Sequence, residues 1–341
     1  MGNIKDGVIR WGILGLGRIA RDFARSLREL PDAALAAAGS RDAERARAFC
    51  AEHGGRPHGS YAELVNDPEV DIVYVATLHH LHEEHTLLAL RAGKHVLCEK
   101  PISINEASAA RMYAEAEKRG LFLMDGLWSR FFPAWEFAKR LADSGDMGAV
   151  VAIDSAISWG VAQINPANRL FDLASSGGAL LDGGIYNLAA ASVILGPDEY
   201  PVSIKALTDI GPTGVDYHDG AVMKYRSGVI ATMMCGLRAP LMRADILCEY
   251  GLITVPDHRN PTSVLVKRRK GGVGYGYGTE TFDFPHPAVG FQFEAAHVQD
   301  CLRLGLTESP RVTKKESLML MRITDEIRRQ AGFSYPMETG G

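Results

Sequence analysis

The sequence predicts a two-part α/β chain: an N-terminal doubly wound parallel sheet, then an α+β domain with a mostly antiparallel, open sheet. Three observations predict it. At 341 residues the chain exceeds the ~250–300 at which a single hydrophobic core usually stops growing. Residues 1–126 alternate strand, turn and helix patterns, as a doubly wound domain requires. After Gly148 the texture changes to short strand-like runs separated by tight turns, which favours antiparallel pairing. The division is placed at 126/127, giving domains 1–126 and 127–341.

Each element has its own justification. Val8–Leu14 is strand-like, Ile19–Leu30 has helical spacing, and Leu35–Gly39 is a strand of small residues. Asp42 caps the next helix, with Glu44 in its first turn. Ser60-Tyr61-Ala62-Glu63 is a capping box opening a short helix, and Ser103-Ile104-Asn105-Glu106 is a second one before a helix to Arg119. Asp71–Ala76, His95–Cys98 and Leu121–Asp125 are strands, and Leu81–Ala92 is a helix. "DIVYVA" is apolar throughout, as in a strand buried on both faces. In the second half, Val150–Ser158, Ile204–Leu207, Ala221–Tyr225, Val229–Cys235, Asp245–Tyr250, Ile253–Val255 and Val264–Arg268 are strands. Helices are expected at Leu180–Leu195, Phe291–Leu304 and Lys315–Gln330.

Composition narrows the class. The chain is 46% apolar and 23% charged with net charge -4, which argues against nucleic acid or an anionic membrane as partner. The basic run Lys267–Lys270 is a solvated hairpin end, and the glycine-rich stretch Gly271–Gly278 a flexible hairpin loop, because no helix follows it. No apolar run is long enough to span a bilayer, and the first residues carry no basic-then-apolar signal. Five scattered cysteines without a CxxC pair fit reduced thiols in the cytoplasm.

Gly15-Leu16-Gly17-Arg18-Ile19-Ala20 follows the first strand and opens the first helix. The first glycine permits the tight turn, the second lets a pyrophosphate approach the backbone, and Ala20 packs on the sheet. The helix N-terminus offers its unpaired N–H groups to the phosphates. In this strand–turn–helix context the motif predicts a Rossmann-type dinucleotide site, with Arg18 and Ile19 beside the cofactor. Ser40 and Arg41 end the second strand, where an acidic residue would instead bind a ribose 2′-hydroxyl. They suit a 2′-phosphate, so NADP is favoured over NAD, with Asp42 assigned to capping.

Larger stretches resemble a known family. GxGxxA, "GKHVLCEKP" (Gly93–Pro101) and "GGALLDGGIY" (Gly177–Tyr186) together resemble the glucose–fructose oxidoreductase/inositol dehydrogenase (Gfo/Idh/MocA) family. "GLFLMDGLWSRFFPA" (Gly120–Ala134) and the ending "ITDEIRRQAGFSYPME" are similar to the dimeric dihydrodiol dehydrogenases and related NADP-dependent xylose dehydrogenases. The resemblance covers nearly the whole chain. It implies the two-domain fold, an active site in the cleft, and homo-oligomerisation (dimer or tetramer) through the second sheet. It implies Lys100 beside the nicotinamide, next to Glu99, and an acid/base segment at Asp182 and Tyr186. Many members have histidine where Tyr186 stands. The usual Thr-Pro-Asn-x-x-His loop is here Thr77-Leu78-His79-His80-Leu81-His82, which keeps Thr77 and His82 and puts the loop's side-chain contacts, His79 included, in question.

The implied chemistry is oxidation of a secondary alcohol or sugar hemiacetal, which removes a proton from oxygen as hydride leaves carbon. Tyrosine, with a pKa near ~10, is a poor base unaided. A lysine ammonium about 4 Å away at an effective dielectric of ~20 contributes ~4 kcal/mol, or roughly three pKa units. Lys100 would therefore assist Tyr186. Alternatives stand beside each assignment. Lys100 could be a solvated strand end, Tyr186 a core aromatic, and Asp182 a helix cap rather than an orienting group. Trp128 and Phe131 form either an apolar substrate wall or core. Arg130 and Arg169 reach either cofactor and substrate or solvent. His79, His80, His82 and His85 lack a carboxylate or cysteine at ligand spacing, so no metal is expected. The expected substrate is a small carbohydrate or cyclic diol. A nucleotide-binding regulator without turnover, or an NAD-dependent glycosidase on the same fold, is the alternative.

Overall fold

The computed structural model describes residues 7–269, 277–287 and 289–338. Within them the chain forms two compact units: one runs to Trp128 and takes in Pro287–Leu318, the other comprises Ser129–His286 and continues from Met319.

The first unit is built on six parallel strands: β1 (Ile9–Leu14), β2 (Ala33–Gly39), β3 (Arg56–His58), β4 (Ile72–Val75), β5 (His95–Glu99) and β6 (Leu123–Gly126). They pair in the order β3-β2-β1-β4-β5-β6. Five helices connect them: α1 (Arg18–Leu27), α2 (Ala43–His53), α3 (Tyr61–Val65), α4 (His82–Arg91) and α5 (Glu106–Arg119). The strand order reverses between β1 and β4, and doubly wound sheets bind ligands outside the strand ends at such a point. β4 is buried at every residue, which is why "IVYV" needs no polar alternation.

Most expected elements form, and the departures are local. Asp42 caps α2 through the Glu44 and Arg45 amides. Ser60 caps α3 through the Glu63 amide, while Glu63 accepts from the Gly59 amide. The second capping box is corrected: Asn105, not Ser103, caps α5 by accepting from the Ser108 amide, and the Ser103 hydroxyl instead bonds the Ser108 hydroxyl. The three-residue β3 was not anticipated, being too short and polar to carry a period.

The second unit contains α6 (Pro133–Asp143), β7 (Val150–Ser158), α7 (Ile185–Leu195), β8 (Ser203–Ile210), β9 (Asp216–Lys224), β10 (Ile230–Gly236), β11 (Leu241–Cys248), β12 (Gly251–Val255), β13 (Ser263–Arg269) and β14 (Tyr277–Asp283). The sheet order is β14-β13-β12-β11-β7-β10-β9-β8. Every pair is antiparallel except β7 with β10. Helices α6 and α7 cover one face. The other exposes Leu207, Val222, Ile230, Met234, Leu241 and Leu247. α6, which opens at Pro133, was not among the expected helices. Residues 270–276 of the basic run and glycine-rich stretch lie outside the described residues, and Gly278 sits within β14 rather than in a loop.

Two late helices complete the chain, α8 (Phe291–Arg303) and α9 (Lys314–Ala331). α8, assigned by the 126/127 division to the second domain, packs in the first unit. Its Phe291 stacks on Trp128 at 4.4 Å and meets the Phe23 ring edge-on. A further correction concerns Leu173–Leu195. By length and composition it is apolar enough to cross a membrane, yet 94% of its most apolar window is buried inside the chain. It is the core helix of the second unit.

Candidate active site

In the first unit, Gly15 has φ +92, and a Cβ there would lie 2.7 Å from Thr77 Cγ2 and 2.9 Å from the Ala76 carbonyl. Only glycine can make this turn. A Cβ on Gly17 would meet nothing within 4 Å, so space lies open beside the start of α1. Gly17 is the N-cap and supplies no side-chain hydrogen bond, leaving the first amides of α1, at Arg18 and Ile19, for an anion. This loop fits a dinucleotide pyrophosphate. Ser40 is buried and its hydroxyl accepts from the Asp42 amide, while Arg41 is exposed. Arg45 is an addition that sequence spacing did not single out. Its guanidinium donates to the Leu16 carbonyl at 2.8 and 3.2 Å, placing a second cation at the glycine loop.

The loops after β4 and β5 are tied together. His82 is fully buried, with its ring nitrogens 2.9 Å from the Pro101 carbonyl and 3.1 Å from the Thr77 carbonyl. Burial lowers its pKa to about 4, so at pH 7 the neutral ring has a single N–H and donates to only one of these two carbonyls. His82 therefore belongs to the scaffold beside Thr77 and Lys100. His85 lies 3.0 Å from the Thr77 hydroxyl, and His79 is buried beside His82. Lys100 stands at the carboxyl end of β5, and its amide donates to Glu99 Oε2 at 3.2 Å. Trp128 is buried and stacks on Phe291.

In the second unit the motif Gly177–Tyr186 is explained by what surrounds it. A Cβ on Gly177 would overlap the Arg169 carbonyl, and one on Gly178, at φ +124, would overlap the Asp216 carboxylate. A Cβ on Gly184 would come within 2.9 Å of Cys235 Sγ. These three glycines let a chain segment be walled in at van der Waals contact. Leu180–Gly184 is a π-helical turn that runs into α7, and such turns concentrate at functional sites. Asp182 sits in that turn, and Tyr186 in the first turn of α7, both buried.

Asp182 is not the cap of this helix. Arg169 Nη2 lies 2.9 Å from Asp182 Oδ1, and the Arg169 side chain is itself 44% exposed. The amide at the helix start, Leu180, is instead held at 2.6 Å by Oδ2 of the buried Asp216. Burial and the neighbouring Asp219 push the Asp216 carboxyl well above the usual range. Tyr335 closes the other side by donating to the Gly177 carbonyl at 2.9 Å. Glu338 accepts from the Tyr335 amide at 2.8 Å and pairs with Arg328. The C-terminal "FSYPME" thus buttresses the segment. Phe131 is buried and Arg130 partly so.

Both halves of the chain match known proteins. Residues 9–127 match the oxidoreductase family with the NAD-binding Rossmann fold, and residues 135–254 match the GFO/IDH/MocA C-terminal domain. The chain belongs to the GFO/IDH/MocA oxidoreductase family. It is 36% identical to the trans-1,2-dihydrobenzene-1,2-diol dehydrogenase of Bos taurus, over 97% of this chain and 99% of that protein. The Xenopus tropicalis protein of the same name is 34% identical over 96% and 99%. Among solved structures, KijD10, a 3-ketoreductase from Actinomadura kijaniata in complex with NADP, superposes with TM-score 0.81 at 28% identity, covering 95% of this chain and 98% of that one. The aldose–aldose oxidoreductase of Caulobacter crescentus superposes with TM-score 0.85 at 27% identity and the same coverage.

Within this oxidoreductase, the residues that sequence reasoning missed share a property: they act through backbone. Asp216 opens a strand whose burial alternates, and an acid at a buried strand position was the available signal. Tyr335 and Arg45 gave none, because their partners are carbonyl oxygens. The glycine argument makes a direct prediction. Gly178→Ala forces a Cβ into Asp216 at a positive φ, and should cost at least ~2 kcal/mol of stability through overpacking and backbone strain. Urea denaturation of the variant checks it, and an unchanged midpoint would contradict the packing described.

Proposed function

We propose that this oxidoreductase transfers a hydride between NADP and a small cyclic polyol, an aldose or a trans-dihydrodiol, with Tyr186 as acid/base and Lys100 as its supporting charge. The observation that carries this is the buried, glycine-shaped segment that holds Asp182, ion-paired to Arg169, one helical turn before Tyr186. A segment built to such tolerance is suited to positioning a reacting hydroxyl, where an ångström of misplacement is costly. The solved relative bound to NADP and the relatives named as diol dehydrogenases support the cofactor and the substrate class.

The residues divide the work. Bound NADP supplies the hydride acceptor or donor at its nicotinamide. The glycine loop, the α1 amides, Ser40, Arg41 and Arg45 hold its phosphates. Tyr186 exchanges the hydroxyl proton at its phenolic oxygen. Lys100 contributes a positive charge that favours the phenolate over the phenol, as the charge argument above requires. Asp182, held by Arg169, orients the substrate hydroxyl or the tyrosine. A regulator without turnover would gain nothing from such a matched set.

Two variants test the reading. Tyr186→Phe should lower kcat by ~10³-fold, in the range of general acid–base catalysis, while NADPH affinity by tryptophan-fluorescence titration stays within about twofold. Turnover near the wild-type rate would refute the tyrosine assignment, and loss of NADPH binding would make Tyr186 a structural residue. Arg41→Ala should weaken NADPH binding by ~10-fold, worth about 1.4 kcal/mol, and leave NADH unaffected. Equal losses for both cofactors would remove the 2′-phosphate role.

We further propose that the uncovered face of the second sheet is covered by a second copy of this chain. Leu207, Val222, Ile230, Met234, Leu241 and Leu247 share that face by strand register. Between them Arg243 pairs with Asp154 and Asp245, and Thr232 and Thr254 bond to the same carboxylates. The polar groups are thus satisfied within the face, which leaves its apolar side chains to a self-complementary contact. Light scattering should give at least a dimer, and a monomeric mass at micromolar concentration would end the proposal.

A further inference from the structure

The first unit buries four carboxyl groups behind the strand end that carries Lys100: Glu99 on β5, Asp125 on β6, Glu294 on α8 and Glu316 in the first turn of α9. None is more than 7% exposed. They do not share one state. Glu99 accepts from the Tyr74 hydroxyl and from the Lys100 amide, so its charge is met by donors from two elements. Glu316 lies at a helix N-terminus, where the dipole favours a negative charge. Asp125 has no such protection. Burial and the charges of Glu99 and Glu316 push its carboxyl well above the usual range, and Lys100 and the Ser317 hydroxyl only partly offset this. Glu294 is the most isolated: both oxygens are buried without a hydrogen-bond partner, and burial with Glu99 and Asp125 drives it upward as well. Tyr113, which donates to Ser317 at 2.9 Å, and Cys98 stand at the edge of the group, both neutral.

The placement of α8 is not accidental to this. Phe291 stacks on Trp128 and meets Phe23, Phe23 stacks on Tyr74 at 3.8 Å, and the Tyr74 hydroxyl bonds Glu99. Glu294 is one helical turn from Phe291 and so shares its buried face. An ionised Glu294 there would face Glu99 with no cation of its own helix to meet it.

We propose that Glu99 is a positioning residue for Lys100: with Glu294 held as a neutral acid, Glu99 is the charged member of the Glu99–Asp125–Glu294 trio, and it fixes the Lys100 backbone and keeps its ammonium protonated. This rests on the role given to Lys100 above, but its test needs no turnover. The probe is the pH dependence of Lys100 labelling by an amine-reactive acylating reagent in the free protein, read by peptide mass spectrometry. Glu294→Gln, which mimics the neutral acid, should leave the Lys100 midpoint within about 0.3 unit of wild type, whereas Glu99→Gln should lower it by about one unit, a tenfold rise in reactivity at fixed pH. A midpoint that moves as far in Glu294→Gln as in Glu99→Gln, or in neither, overturns the proposal.

A second readout follows the proton itself. A carboxyl whose folded pKa is raised contributes stability that is lost as pH rises toward that pKa. The Tm of Glu294→Gln should therefore gain on wild type steadily between about pH 5 and pH 8. A difference independent of pH would mean that Glu294 is ionised in the fold, and the proposal would fall. Should Glu294→Gln not fold, Glu294→Leu, which also removes the carboxyl, takes its place in the same pH series, with the same two outcomes. A failure of the Tyr186→Phe experiment leaves these outcomes untouched, so the two readings fail separately.

Discussion

The hydrogen bond from the Leu180 amide to the buried Asp216 carboxyl is the constraint on which the second unit's site depends. A helix start sealed inside a protein leaves amides that must find acceptors, and here no serine, threonine or asparagine at the N-cap provides one. Asp216 reaches in from β9 instead. It can do so only because position 178 lacks a side chain, and the neighbouring backbone of 169–170 can close on position 177 for the same reason. That closure carries Arg169 to Asp182. The ion pair, the π turn and the setting of Tyr186 follow from where one buried acid needs an amide.

The first unit meets a related problem with a different solution. Parallel strands ending side by side bring Glu99 and Asp125 to one end of the sheet, and two late helices add Glu294 and Glu316. Four carboxylates in such a space would repel one another too strongly to fold around. The burden is divided: hydrogen-bond donors and a helix dipole hold charge on some members, and protonation removes it from others. The same logic makes His82 neutral, with its ring placed between two loops.

The two sheets also differ in what they leave uncovered. Helices enclose the parallel sheet, and its strands are accordingly apolar on both faces, as at β4. The larger sheet has helices on one side only. Its other side alternates exposed apolar residues with an internally paired Arg243–Asp154–Asp245 cluster, a surface compatible with a partner and poorly suited to open water.

How much was legible in the sequence depended on the range of the interaction. Strand and helix periods, the Asp42 and Ser60 caps, the glycine loop at 15–17 and the candidate acid/base segment are local patterns, because each depends on residues within a turn or two of one another. The resemblance of Gly93–Pro101 and Gly177–Tyr186 to family motifs pointed to Lys100, Asp182 and Tyr186 as the residues to examine. Local spacing could not say that Arg169 belongs to Asp182, that Asp216 stands where a cap was sought, or that Tyr335 closes on Gly177 from the far end of the chain. It could not recover α8 for the first unit, since Phe291 and Glu294 are defined by Phe23, Trp128 and Glu99. The sequence by itself determined most of the elements, the cofactor loop and the chemical types available to the site. Tertiary structure alone decided which buried charges are paired and which are neutralised, because the energy of a buried charge is set by neighbours in space rather than along the chain.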